Sequence, residues 1–145
     1  MTRDEEFIPS IAVARFSGRL NGMDPEKANE LFIGLLSRIS IDCEEAGGII
    51  GHNKANFRCG DDLLSMSCTT GNGNVRCKSK FTVPVSDYTG IMDVIVYDLD
   101  YEIMKAIVER RSAEIGGCNA EVLENQKRCS DPNCSDPNCT NLEHY

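Results

Sequence analysis

Eight of the 145 residues are cysteines, and four of them follow Gly117. Within that stretch the pentapeptide Cys-Ser-Asp-Pro-Asn occurs at 129–133 and again at 134–138, and Cys139 closes the tandem. Asp-Pro-Asn forms turns, because proline fixes φ and the Asx side chains bond to nearby backbone. Each turn can bring successive thiols toward one centre. Cys129, Cys134 and Cys139 with Cys118 as the fourth ligand would make a tetrathiolate, which suits zinc or an iron–sulfur cluster. The C-x4-C-x4-C spacing is neither the zinc-ribbon C-x2-C pair nor the bacterial ferredoxin run, and only its first interval matches the plant-type pattern. Metal-free redox thiols and an inert tail made by a small duplication are the alternative readings of the same residues.

A second set of chemical side chains lies mid-chain. Residues 49–82 hold five basic residues against two acidic ones, in a protein whose net charge is −8. His52, Lys54, Arg58, Arg76, Lys78 and Lys80 take the polar parity of alternating segments, so they share one face of a sheet. Such a patch attracts an anionic ligand or an acidic partner surface despite the net charge. The same side chains also dress an ordinary solvated sheet face. His52 follows Gly51, which permits close backbone approach, and an imidazole there can act as acid/base or as ligand. No nucleophile stands beside it in the sequence. No dinucleotide fingerprint, Walker loop, zincin motif or nucleophile elbow is present. Gly71-Asn-Gly-Asn-Val-Arg76 has the look of a phosphate loop but sits between two strands and reads as a turn. The expectation is a protein without catalytic activity.

The elements that must position these groups follow from periodicity. Ile8 to Phe16 reads as a strand, and Asn21-Gly22 as a turn. Asp24 is an N-cap with Pro25 at the first helical position. Ala28, Leu31, Phe32, Leu35, Leu36, Ile39 and Cys43 recur at helical spacing until Gly47-Gly48. Strands follow at 49–59, 63–70, 75–85 and 91–97, with turns at Gly60-Asp61-Asp62 and at 71–74. Asp100 is placed to cap a second helix carrying Ile103, Met104, Ile107, Val108 and Ile115. The order predicts an α+β two-layer sandwich. A mostly antiparallel sheet carries two helices on one face, in the spirit of ferredoxin-like split β-α-β folds. Residues 1–115 form the domain and 116–145 a cysteine-rich tail, since large aliphatics thin out after Gly116-Gly117. Cys43, Cys68 and Cys77 fall on apolar positions and should pack as small hydrophobes.

The remaining composition narrows the function classes. A net acidic chain argues against general nucleic-acid binding, which needs positive charge for phosphates. No apolar run approaches the length of a membrane span. Met1-Thr-Arg-Asp-Glu-Glu leads into no signal-peptide apolar region, so a cytoplasmic location is expected. Together these readings predict a small binding or regulatory protein that docks on a larger protein or complex. Its tail metal, zinc or iron–sulfur, would sense redox state or metal supply. The alternatives are an anion-binding protein or enzyme built on the face around His52, and a carrier that hands its metal or cluster to an acceptor.

Overall fold

A computed structural model describes residues 8–116 and 118–123. Helix α1 (Pro25–Glu45) begins where expected: the Asp24 carboxylate accepts hydrogen bonds from the Glu26 and Lys27 N–H groups. Its apolar stripe, Ala28, Phe32, Leu35, Leu36, Ile39 and Cys43, is buried. Gly47 N–H bonds to the Glu44 carbonyl and Gly48 N–H to the Cys43 carbonyl, a Schellman end. Helix α2 (Tyr101–Ser112) buries Met104, Ile107 and Val108 but leaves Ile103 exposed. Asp100 occupies its N-cap position without making a side-chain cap bond.

The strands are β1 (Ser10–Met23), β2 (Ile49–Ile50), β3 (Asn53–Cys59), β4 (Asp62–Cys68), β5 (Arg76–Ser79), β6 (Val85–Tyr97) and β7 (Cys118–Val122). They form one sheet in the order β5-β4-β3-β6-β1-β7, with β2 also paired to β6, and every pairing is antiparallel. Because β1 and β3 are both antiparallel to β6, they run parallel to each other with β6 inserted between them. The class is therefore α+β, a mostly antiparallel sheet with two helices.

Four details depart from the sequence reading. Asn21-Gly22 does not turn the chain; both residues have positive φ, 54° and 78°, inside a register irregularity of β1. The strand expected over 75–85 stops at Ser79. Beyond it the Asn29 side chain clamps Phe81, accepting from its N–H at 2.9 Å and donating to its carbonyl at 3.1 Å. Asp62 takes the N–H groups of Thr82 and Val83, so this backbone is satisfied without a ladder. Pro84 then precedes β6, which starts six residues earlier than expected. Finally, the sheet does not end where the aliphatics thin out: β7 pairs with β1 from Ala14↔Val122 to Gly18↔Cys118.

The core is aromatic at its centre. Phe32 of α1 stacks on Phe57 at 4.0 Å between ring centroids and meets Tyr88 edge-on at 5.0 Å. Phe16 lies 5.2 Å from Phe57. That contact crosses β6 at Gly90, which pairs with Phe16 on one side and Phe57 on the other.

The two helices are joined by charge. Asp42 receives the Arg111 guanidinium as a fork, at 2.6 Å from Nε and 3.1 Å from Nη2, and Arg110 adds a bond at 3.1 Å. The Arg111 hydrogen bond, against a smaller opposing effect of burial, holds the Asp42 carboxyl below the usual range. A folded-state value below the unfolded one stabilises the fold above about pH 4 and loses that contribution as pH falls through the folded value. Asp42→Asn is accordingly expected to lower the urea midpoint at pH 7. Its difference from the native protein should shrink as pH falls below the ordinary carboxylate range. A difference constant from pH 7 to pH 2 would refute this linkage.

Candidate functional site

The helices cover one face of the sheet, and among the described residues no element covers the other. On β3 the burial alternates strictly, with Asn53, Ala55 and Phe57 inside and Lys54, Asn56 and Arg58 outside. β4 turns Leu64, Met66 and Cys68 inward. The polar parity named from the sequence is thus the open face along these strands.

His52 owes its place to a break between β2 and β3. Gly51 N–H and His52 N–H both donate to the Ile95 carbonyl, at 2.9 and 3.2 Å. Two residues thus oppose one, the pattern of a β-bulge, a device that re-aims side chains. A Cβ at Gly51 would stand 2.9 Å from the Tyr97 ring and 3.0 Å from the Ile95 carbonyl, so the bulge requires glycine. The bulge also takes the Ile95 N–H out of the ladder, and the fully buried Asn53 side chain accepts from it at 2.8 Å. Asn53 in turn donates to the Ser40 hydroxyl of α1 at 3.0 Å. A buried amide therefore ties the His52 backbone to the helix layer.

Four of the six basic-face residues come together. His52, Lys54, Arg76 and Lys78 line one concavity of about 530 Å³ across β3, β4 and β5, with Asn56, Ser65 and Ser67 on its floor and walls. Arg58 lies farther along β3, paired with Leu63 and Thr89, outside this lining. Lys80 lies past the end of β5 and also outside it. The residue that sequence reasoning missed is Asp93, directly paired with Lys54. Burial raises its carboxyl above the usual range, while Lys54 and then His52 pull it down. The alternation on β6 gave little warning, since Ile91 and Ile95 share the parity of Asp93 and the segment reads as apolar on both faces.

A second concavity, of about 490 Å³, opens on the same side over β6, β1 and β7. Arg15, Ser17, Thr89, Ile91, Asn119 and Glu121 border it, together with the buried Phe16, with Gly90 and with the exposed Ala120.

The glycine-rich loop at 71–74 is tied to α1. Glu44 accepts the Asn72 N–H at 2.8 Å, and the Ser37 hydroxyl donates to the Gly73 carbonyl at 2.8 Å. The protein's own carboxylate occupies the donor that an external phosphate would seek. This is the turn the sequence indicated.

Of the four expected metal ligands, Cys129, Cys134 and Cys139 lie outside the described residues. Cys118 begins β7, opposite Gly18, whose other partner is Tyr88. Burial, followed by the neighbouring Cys118 sulfur, pushes the Tyr88 phenol above its usual range. Among the described residues no three His, Cys, Asp or Glu side chains gather as a metal site. Cys43, Cys59, Cys68, Cys77 and Cys118 are free thiols. Burial pushes Cys43 up to about 12, so it stays a protonated core side chain at neutral pH.

Fold and face together define an α+β protein whose helix-backed sheet presents a cationic open side. No family model, curated protein or solved structure matches the chain. Among the described residues no helix is long and apolar enough to cross a membrane.

Proposed function

We propose that this protein is a non-catalytic binding module that docks on a larger protein by seating an anionic segment of it on the open sheet face. The observation that carries the reading is the single concavity holding His52, Lys54, Arg76 and Lys78 together with Ser65 and Ser67. Cations supply attraction, hydroxyls supply neutral donors, and a guanidinium can fork onto a carboxylate or phosphate. Asp93 beside Lys54 balances one cation, which limits indiscriminate anion binding. The order β7-β1-β6-β3 supports reading the core as a ferredoxin-like split β-α-β unit with the β4–β5 hairpin extending it. That extension builds most of the concavity. The cysteine spacing beyond Cys118 supports a metal or redox function accompanying the docking.

Calorimetric titration of the full chain with an oligoglutamate peptide tests the reading. Binding should weaken steadily from 50 to 300 mM salt, since exposed charges are screened. Arg76→Glu should weaken it about tenfold or more, the worth of a charged hydrogen bond turned to repulsion. Arg76 is exposed on the short strand β5, so the variant should keep the native unfolding midpoint. Absence of salt-sensitive binding at millimolar peptide would overturn the proposal.

A further inference from the structure

We propose that the two concavities form one trough that takes an extended peptide lying across the strands. An acidic side chain sits over β3–β5, and an apolar side chain about three residues away rests on Ile91. The inference builds on the anion-docking reading above and adds the shape and chemistry of the occupant.

Strand register makes the trough continuous. Ser65 pairs with Asn56, Asn56 with Ile91, Ile91 with Arg15, and Arg15 with Glu121. This row crosses the open face from β4 to β7. Its first two members border the cationic concavity and its last three border the second one. Ile91 therefore stands at the junction. It is 42% exposed, an apolar side chain flanked in its row by Asn56 and Arg15.

The spacing follows from sheet geometry. The cationic concavity centres on β4, two strands from β6, and strands lie about 4.8 Å apart, giving roughly 10 Å. An extended chain advances about 3.3 Å per residue, so roughly three residues separate the acidic side chain from the one over Ile91.

Charge sets the polarity. The β3–β5 end carries His52, Lys54, Arg76 and Lys78, whereas the far end carries Glu121 beside Arg15. An acidic residue is favoured at the first end and meets no net charge at the second, so the peptide has one favourable orientation. A nucleic acid suits the face poorly. Among the described residues bordering the concavities the rings are Phe16, whose side chain is in the core, and the small imidazole of His52, whereas single strands are held largely by stacking on several exposed aromatic rings.

The test titrates the full chain with unlabelled peptides. Glu-Glu-Ser-Ser-Leu should bind about fivefold more tightly than Glu-Glu-Ser-Ser-Ala, the worth of partly burying a leucine. Glu-Glu-Leu-Ser-Ser should show no such gain. In Ile91→Ser, a surface change, the ratio of leucine-peptide to alanine-peptide affinity should fall to about one. Equal binding of all three peptides, still weakened by Arg76→Glu, would overturn the trough and leave the anion reading intact. No binding by any peptide would overturn both. Tighter binding of an oligouridylate than of the leucine peptide would overturn the choice of a peptide occupant.

Discussion

Gly90→Ala is expected to destabilise the protein by about 3 kcal/mol, although alanine is ordinarily the better strand residue by about 0.5–1 kcal/mol. The sign is reversed by what a methyl group would meet. A Cβ on Gly90 would lie 2.3 Å from Cδ1 and 2.5 Å from Cε1 of Phe57. Phe57 is fully buried and cannot step aside. Phe32 is stacked on it, Phe16 lies on its flank, and Tyr88 meets Phe32 edge-on. Any shift of Phe57 therefore moves α1 against the sheet, and closely packed interiors resist such shifts. Urea denaturation should show the midpoint fall with the slope unchanged. Adding Phe57→Leu to Gly90→Ala should recover part of the loss, whereas Phe57→Leu alone should destabilise. A Gly90→Ala protein as stable as the native one would show that the Phe16–Phe57 contact does not depend on the bare backbone between them.

That glycine also marks what the sequence made legible and what it hid. Local signals were strong where one side chain acts on its own neighbourhood. Asp24-Pro25 starts α1, Gly47 ends it, and alternation on β3 and β4 names the inward and outward faces correctly. Consequently most of the cationic concavity could be listed from residue type and parity alone. The reading failed where distant side chains replace the ladder. Asn29 and Asp62 capture the backbone of 81–83, a contact between positions far apart in sequence that no local pattern announces. It failed again at β7, an edge strand whose middle residues are exposed and which therefore shows no apolar alternation. Asp93 escaped notice because its neighbours on the open face, Ile91 and Ile95, are apolar. The second concavity depends on β7 and on that misread stretch of β6, so it was not visible before the sheet was assembled.

Asn53→Leu is the second large effect expected, and it couples stability to the site. The side chain is fully buried between the sheet and α1. Its oxygen accepts the Ile95 N–H at 2.8 Å, and its nitrogen donates to the Ser40 hydroxyl at 3.0 Å. Leucine has nearly the same shape and more apolar surface, so hydrophobic bookkeeping alone would favour it. The bulge decides otherwise. With Gly51 and His52 both spent on the Ile95 carbonyl, the Ile95 N–H has no backbone alternative and would be left unpaired beside the core. An unmet buried donor costs about 1–3 kcal/mol, and the lost amide–hydroxyl bond about 1 more, so a net loss near 3 kcal/mol is expected. Ser40 retains its own bond to the Leu36 carbonyl, which confines the damage to the sheet side. Two readouts separate this from ordinary core disruption. Hydrogen exchange at the Ile95 amide should accelerate more than at Ala55 or Phe57, on the next strand. Oligoglutamate affinity should also fall, because His52 loses the brace that holds its backbone. If the Ile95 amide stays as protected as in the native protein, the ladder closes without the amide clamp. The position of His52 would then owe nothing to Asn53, and a native-like affinity in the same variant would say so independently.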